Sequence, residues 1–255
     1  MKMRVARIGF TVLKGGRHVA RPDAVLGAEG PVGDRAYCLL DPVRDRVVRT
    51  VENPTMVQVV AEEDGPRLGV TMPTGERVVG VPEESGEVRE VDYWGRREAV
   101  EPVDGPWAAV LSEHLGYDVR LARVLRPGGV VYGAPVSLVT SSSLARLVSL
   151  VGQPVEAERF RATLVLDTED LPAHVEDGWV GREVRVGEAV LRVRARVPRC
   201  AVVDLDPASG ARTVPVLQTL AGYRRGDSEI CFGVDAHVTV AGWVRVGHEA
   251  VLGRD

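Results

Sequence analysis

The chain has 255 residues, 45% of them apolar, which allows one large or two small domains with a sizeable hydrophobic core. Its formal net charge of −4 gives no electrostatic reason to expect binding to nucleic acid or to an anionic membrane. Residues 1–10 contain no apolar stretch long enough for a signal peptide or an anchor. Three cysteines at wide separations, Cys38, Cys200 and Cys231, suit a reducing cytoplasm better than a disulfide framework. We therefore expect a cytoplasmic protein with neither a nucleic-acid nor a membrane partner.

The first hundred residues are predicted to form short strands separated by turns. Glycine and proline turn signals recur along this segment at Gly27, Gly30, Gly33, Asp41-Pro42, Gly65-Pro66 and Gly86.

Lys14 is unusual, because thirty of the thirty-two basic residues are arginine and only Lys2 and Lys14 are lysine. Codon usage in a GC-rich genome explains the arginine excess, but an internal lysine then points to a tight phosphate site. At such a site a compact ammonium and a planar guanidinium are not equivalent.

A helix is predicted to begin at Asp104-Gly105-Pro106, with proline in its first turn, and to end at Gly116. Its apolar residues recur at helical spacing and share one face: Trp107, Val110, Leu111 and Leu115. We expect this helix to join two parts of the protein.

The clearest pattern in the second half is a strand that ends beside a cysteine. Between Leu191 and Val197, apolar residues alternate with arginines, so one face belongs to the core and the other to solvent or a cleft. Gly187-Glu188 is typical of a hairpin turn before this strand. Pro198 cannot donate to a sheet ladder, so the strand should end or bulge there.

Cys200 therefore lies at a strand end, directly after Arg199. A nearby cation favours the thiolate form of cysteine, and thiolates are soft metal ligands. The alternative is a small buried hydrophobe, which is the role that we predict for Cys38 and Cys231, with a position near the site as the second interpretation for Cys231.

Hydroxyl and arginine side chains form two further candidate motifs. Four consecutive hydroxyl residues, 140–143, precede a predicted helix that ends at Gly152. A helix cap needs only one of them, so the surplus favours an anion at this helix start. In Arg159-Phe160-Arg161, the two arginines indicate either a surface salt-bridge pair or part of a binding site.

Together these motifs resemble the MOSC proteins, named after the C-terminal domain of molybdenum cofactor sulfurases, with the β-barrel domain that often precedes it. The resemblance covers nearly the whole chain. In the first part it is carried by residues 12–17, 33–37, Arg49 and Asn53-Pro54. In the second part it is carried by residues 140–144, 159–161, 177–179, 199–200, 206–210, 219–224, 232–233 and 242–247. It implies a mainly β fold with a few helices (α+β), divided into an N-terminal β-barrel-like domain at 1–104 and a MOSC-type β-barrel domain at 105–255.

The resemblance also implies a molybdenum cofactor, Mo-molybdopterin, in which the pterin dithiolene and one protein cysteine hold the metal. That cysteine is Cys200 here, as catalytic residue and molybdenum ligand. The positions matching the family's cofactor site are Lys14, Arg35, Ser141, Ser142, Arg161, Thr163, Arg199 and Tyr223. At one of them the family commonly has Arg-Pro-Asn where this chain has Arg161-Ala162-Thr163, so a hydroxyl replaces an amide that both donates and accepts.

The implied function is reduction of N-oxygenated, or N-hydroxylated, small molecules by a molybdenum-dependent oxidoreductase. Three cysteines cannot supply the four thiolates of an ordinary iron–sulfur cluster, so electrons should come from a separate flavin or iron–sulfur protein. Two other functions are alternatives to this reductase. One is a carrier of sulfur or molybdenum cofactor that uses Cys200, served by an upstream pyridoxal phosphate-dependent sulfurase partner. The other is a MOSC-fold enzyme recruited to a specialised pathway without the metal, as Thr163 suggests.

Overall fold

Within residues 2–168, 170–225 and 229–253, which the computed structural model describes, the chain forms twenty strands, three α-helices and four 3-10 helices. The strands are β1 (Lys2–Phe10), β2 (Val19–Arg21), β3 (Asp23–Gly27), β4 (Gly30–Pro31), β5 (Tyr37–Asp41), β6 (Arg46–Val47), β7 (Val60–Asp64), β8 (Arg67–Thr71), β9 (Arg77–Gly80), β10 (Glu83–Glu84), β11 (Arg89–Tyr93), β12 (Arg96–Asp104), β13 (Arg120–Val124), β14 (Val136–Thr140), β15 (Leu164–Asp167), β16 (Glu183–Val186), β17 (Ala189–Pro198), β18 (Cys231–Val240), β19 (Gly242–Arg245) and β20 (Glu249–Leu252). The helices are α1 (Trp107–Leu115), α2 (Ser141–Val151) and α3 (Val216–Tyr223), with 3-10 helices η1 (Pro54–Gln58), η2 (Ala157–Phe160), η3 (Val175–Trp179) and η4 (Ala201–Asp204). The predicted class, mainly β with a few helices, is confirmed.

Seven strands close into the large barrel, in the order β1, β15, β14, β18, β17, β16 and β20. The ring is complete because β1 pairs with both β15 and β20. Neighbouring strands are antiparallel except β14 and β15, which run parallel. Side chains from every part of the ring, such as Ile8, Leu138, Leu191 and Val234, belong to one buried cluster. Burying each of them contributes roughly 1.5–3 kcal/mol.

The alternation predicted for β17 is present, and it weakens toward the end of the strand. Leu191 and Val193 are buried, whereas the arginines between and after them are exposed. The pairing with β18 shifts register after Val193 and again before Pro198, so Ala195 is only half-buried. As predicted, the strand ends at Pro198, which turns the chain toward Arg199 and Cys200.

Five strands, β5, β6, β11, β12 and β13, close into the small barrel, because β12 pairs with both β11 and β13. Its buried cluster contains Leu40, Val91, Val100 and Cys38. Cys38 is fully buried and Cys231 is buried on β18, as predicted for both.

Helix α1 and the sheet β7–β9 pack on the small barrel through a second apolar cluster. The predicted helix is confirmed: Trp107 and Leu111 are fully buried, and Gly116 adopts a left-handed φ of 77° at its end. The Trp107 indole N–H donates to the Leu68 carbonyl at 3.1 Å, which satisfies the polar atom of this large buried ring.

The division of the chain into domains 1–104 and 105–255 stays a prediction, and strand pairings cross that position in both directions. Strand β1 completes the large barrel from the N-terminal side, and β3 pairs with β19. Strand β13, which follows residue 105, completes the small barrel. The two barrels are therefore interlaced by the chain. No helix in the described part of the chain has the length and apolar character that a membrane crossing requires.

Candidate active site

A cavity of about 370 Å³ lies between the two barrels and is lined by residues from both. Six of the nine predicted site residues line it: Lys14, Arg35, Arg161, Thr163, Arg199 and Cys200. The loop after β1, the end of β11 and loops next to the small-barrel strands contribute one wall. The ends of β17 and η2 and the loop before β14 contribute the other. Residues distant in sequence thus meet in one concave site of the size that small ligands occupy.

Cys200 is exposed and lines this cavity. It follows the end of β17 and precedes the first residue of η4, with an extended backbone at φ −122°. The preceding residue is fixed to the barrel, because the Arg199 amide donates to the Ile230 carbonyl at 2.8 Å. The thiol is therefore accessible but held at a defined point of the cavity wall.

Arg199 is anchored beside the thiol and retains one free donor. Its Nε donates to the Phe232 carbonyl and its Nη1 to the Phe160 carbonyl, both at 2.8 Å. Its Nη2 is buried and makes no hydrogen bond to any described residue. Burial lowers the pKa of Arg199 to about 10. A buried donor without an acceptor costs roughly 1–3 kcal/mol, so this atom favours an anionic or oxygen-bearing group next to Cys200.

Lys14, Arg35 and Arg161 form a basic cluster on the cavity wall. Burial, and then the charges of Arg35 and Arg161, lower the pKa of Lys14 from 10.5 to about 7. Burial and the Arg35 charge lower the pKa of Arg161 to about 10. Asp34 pairs with Arg35, and Arg161 donates to the Gly16 carbonyl at 2.8 Å. One carboxylate does not offset three basic groups, so the cluster has the electrostatics of an anion site.

Backbone strain is also concentrated at this cavity. Among the described residues, five non-glycine residues have a positive φ, and three of them line the cavity: Arg35 at 50°, Trp94 at 53° and Arg161 at 51°. A left-handed conformation costs an L-residue roughly 1–2 kcal/mol. Residues held this way cluster at functional sites, where surrounding structure fixes them.

Thr163 borders the cavity, but its hydroxyl is already engaged. The oxygen accepts a hydrogen bond from the Ser137 amide at 3.1 Å, and the Thr163 amide donates to the Ser137 hydroxyl at 3.2 Å. This reciprocal pair links β14 to the start of β15 and leaves Thr163 4% exposed. The residue shapes the wall, with little polar surface for a ligand.

Ser141 and Ser142 do not line the cavity. The Ser141 hydroxyl donates to Asp167 at 3.2 Å and accepts from the Thr168 amide at 2.8 Å. The Ser142 hydroxyl lies 2.8 Å from that of Thr168. Thr140, not these serines, caps α2. The surplus hydroxyls thus tie α2 to the loop after β15, and the geometry gives no support to the predicted anion at this helix start.

Tyr223 also lies outside the cavity lining, on α3, with its ring 5.5 Å from that of His174. Its hydroxyl is buried without a hydrogen-bond partner among the described residues. The geometry therefore does not place it around Cys200.

Arg159 is 3% exposed, so the surface-pair interpretation of Arg159-Phe160-Arg161 is wrong for this residue. Its guanidinium binds Glu156 at 2.6 Å, the Asp204 carbonyl at 2.9 Å and the Thr213 hydroxyl at 2.8 Å. It thereby holds the segment after Cys200 against η2.

Several lining residues were not predicted. Asp235 on β18 is buried, pairs with Arg194 and accepts from the Ala134 amide at 2.9 Å, which fixes the loop before β14. The arginines of β17 have no acidic residue beside them in the sequence, which could have indicated a carboxylate on a neighbouring strand. Trp94 and Tyr132 also line the cavity, and nothing in their local sequence indicated it. No group of three or more His, Cys, Asp or Glu residues suited to metal binding occurs in the described part of the chain.

Fold and cavity together define a protein of two interlaced β-barrels whose shared cavity combines one exposed thiol with a basic cluster. The MOSC domain family matches residues 113–251, more than half of the chain. The chain belongs to the MOSC family, as its motifs predict.

The relatives include a molybdenum cofactor sulfurase and an amidoxime-reducing component. The molybdenum cofactor sulfurase of Solanum lycopersicum is 31% identical over 114 residues, covering 41% of this chain and 14% of that protein. The mitochondrial amidoxime-reducing component 1 of Xenopus laevis is 31% identical over 123 residues, covering 45% of this chain and 35% of that protein. The chain thus spans about a third or less of the length of these curated relatives. Among solved structures, the YUAD protein of Bacillus subtilis aligns over 100% of this chain and 98% of its own, with a TM-score of 0.48 and 11% identity.

Proposed function

We propose that this protein is a molybdenum cofactor-binding oxidoreductase that reduces N-oxygenated substrates with electrons from a separate protein. The observation that carries the proposal is the single cavity in which the exposed Cys200 thiol, the free donor of Arg199 and three basic side chains meet.

The residues of the cavity fit the cofactor chemically. Cys200 would offer the one thiolate that the metal needs besides the pterin dithiolene, and it is a soft sulfur donor like the dithiolene sulfurs. Lys14, Arg35 and Arg161 would hold the cofactor's phosphate, which supplies the negative charge that their cluster lacks. The free Nη2 of Arg199 would donate to an oxygen atom near the metal. The bound cofactor supplies the metal-centred redox chemistry that removes the oxygen atom.

The proposed reaction breaks the substrate N–O bond. Two electrons and two protons are consumed, the nitrogen gains a hydrogen and water is released. The electron donor is oxidised in the same turnover, and it is a separate flavin or iron–sulfur protein because three cysteines cannot ligate an ordinary cluster.

Steady-state reduction tests this function. The 255-residue protein, produced in a host that synthesises the cofactor, is mixed with a nicotinamide nucleotide as reductant, a purified flavin reductase and an iron–sulfur protein, and reduction of N-hydroxybenzamidine is followed by chromatography. We expect turnover that needs at least one of the two electron-transfer proteins besides this chain and that is lost in Cys200→Ala, which has no donor atom at this position. Turnover with the purified chain and a nicotinamide nucleotide alone would refute the separate donor, and undiminished turnover in Cys200→Ala would refute the assignment of the active site to the Cys200 cavity.

A carrier of sulfur or cofactor is the second candidate. It is favoured by the exposure of Cys200 and by the similarity to a protein named molybdenum cofactor sulfurase. In this role a pyridoxal phosphate-dependent sulfurase would carry a persulfide on its own cysteine, and the Cys200 thiolate would take the outer sulfur as the sulfurase's S–S bond breaks and its cysteine leaves as a thiolate. A mass increase of one sulfur on the Cys200 peptide after incubation with such a sulfurase, without reductase turnover, would favour the carrier over the reductase.

A further inference from the structure

Two of the four aromatic residues that line the cavity are strongly exposed. Tyr93 and Phe160 are buried in the apolar clusters, whereas Trp94 is 47% exposed and Tyr132 is 63% exposed. Large aromatic faces left in water at the edge of a concave site are a feature of ligand-binding surfaces. We call Trp94 and Tyr132 the aromatic rim.

Trp94 is held in place at some cost to the backbone. It and Gly95 form the two-residue turn between β11 and β12, and both have a positive φ, 53° and 80°. Asparagine and glycine are the residues that such turns favour, and a bulky side chain is strained there. The Arg49 guanidinium lies 4.4 Å from the centroid of the indole ring and is itself paired with Asp92 at 3.3 Å. One face of the indole is therefore covered by a fixed cation and the ring is held in a defined position.

Tyr132 is tied to the same hairpin. Arg96, the first residue of β12, donates through Nη2 to the Gly129 and Val131 carbonyls, both at 3.0 Å. This places the loop that carries Tyr132 beside the turn that carries Trp94. Asp235 fixes the far end of the loop through the Ala134 amide. Hydrogen bonds thus tie together the two segments that carry the exposed rings, and both rings line the same cavity.

We propose that the aromatic rim binds a planar aromatic or heteroaromatic ring of the substrate, so that Trp94 and Tyr132 select arene-bearing N-oxygenated compounds over non-planar ones of the same size. The inference rests on the proposed reductase function for the reaction, but the selection is a property of the rim itself. Stacking on one aromatic side chain corresponds to roughly a 3- to 10-fold preference for a planar ring.

The kinetic test compares N-hydroxybenzamidine with its cyclohexyl analogue, N-hydroxycyclohexanecarboxamidine, in wild type, Trp94→Asn and Tyr132→Leu. Asparagine suits the left-handed turn, so Trp94→Asn removes the ring without adding strain. Trp243→Leu is the matched control, because Trp243 is an exposed tryptophan on β19 outside the cavity lining. We expect each rim variant to lower the kcat/KM preference for the aryl compound roughly 3- to 10-fold, through KM with kcat little changed. An unchanged preference in both rim variants overturns the proposal.

A calorimetric titration separates this outcome from failure of the proposed function. The dissociation constants of both compounds are measured with the protein as isolated and without an electron donor, so that neither compound is reduced during the titration. Tighter binding of the aryl compound by wild type, lost in Trp94→Asn and kept in Trp243→Leu, supports the rim even if neither compound is reduced. Equal affinity of wild type for the two compounds overturns the rim whether or not they are reduced.

Discussion

Lys14 gives the sharpest test of the basic cluster, because its charge responds to whatever binds there. Burial and the charges of Arg35 and Arg161 bring its pKa to about 7. At pH 7 about half of the molecules therefore carry the charged ammonium when no anion is present. An anion bound between these side chains favours the protonated lysine and must raise the pKa.

The size of the rise follows from electrostatics. Two opposite unit charges about 4 Å apart at an effective dielectric constant of about 20 attract by about 4 kcal/mol. One pKa unit corresponds to about 1.4 kcal/mol, so a bound divalent anion should raise the pKa of Lys14 by roughly one to three units after its own desolvation is subtracted. A rise of one unit means that the anion binds the protonated protein about tenfold more tightly.

Nuclear magnetic resonance of carbon-13-labelled lysine measures this directly, because the chain contains only Lys2 and Lys14. The Lys14→Arg variant assigns the two signals by removing one of them. Sulfate is the anion of choice, since it has no proton equilibrium of its own between pH 6 and pH 10. We expect the Lys14 midpoint near pH 7 in chloride buffer and an upward shift in sulfate.

Two results would refute the reasoning. A Lys14 midpoint near 10.5 without sulfate would mean that the lysine is not desolvated among other cations. The second result is a midpoint near 7 that does not move when sulfate is added until the arginine side-chain signals stop changing. It would mean that the cluster is not an anion site.

Three further predictions concern stability and are each checked by urea unfolding. Lys14 has a lower pKa in the folded protein than in the unfolded chain, so its burial penalty is full below pH 7 and is relieved between pH 7 and 10.5. In that window the free energy of unfolding of wild type should therefore rise relative to that of Lys14→Met, by up to about 1.4 kcal/mol per pH unit. Equal pH dependence of the two proteins would contradict the lowered pKa. Asp235→Ala should cost about 1–3 kcal/mol, because it leaves the Ala134 amide without its acceptor, and a cost below 0.5 kcal/mol would show that water replaces the carboxylate. Leu191→Ala should cost about 2–5 kcal/mol because Leu191 is fully buried in the large barrel, whereas the exposed Val25→Ala should stay within about 0.5 kcal/mol.

Local patterns in the sequence were sufficient for the elements near the thiol. The alternation of β17 and the missing amide hydrogen of Pro198 placed Arg199 and Cys200 at a strand end, and the structure agrees. The exposure of Cys200 followed from that position, since the pairing with β18 ends there.

The cavity itself required information that local patterns do not contain. Lys14 and Arg35 come from the small-barrel side and Arg161 from the other, and only the closure of both barrels brings them together. The family resemblance supplied these three positions. It also suggested Ser141 and Ser142, whose hydroxyls are instead used by the loop after β15.

The aromatic rim could not be predicted from the sequence, for a different reason. An exposed tryptophan and tyrosine in loops carry no periodicity, and their proximity depends on the bonds from Arg96 to two loop carbonyls. Such long-range contacts between irregular segments have no signature in composition or spacing.

The most direct test of the central claim is the molybdenum content of the purified protein. The 255-residue wild type and Cys200→Ala are produced in a host that synthesises the cofactor, and metal and pterin are quantified per chain. Binding through the thiolate of Cys200 predicts about one molybdenum and one pterin per chain in wild type and loss of the metal in Cys200→Ala, which has no donor atom at this position. Wild-type protein without molybdenum, or a Cys200→Ala variant that retains it fully, would contradict the account.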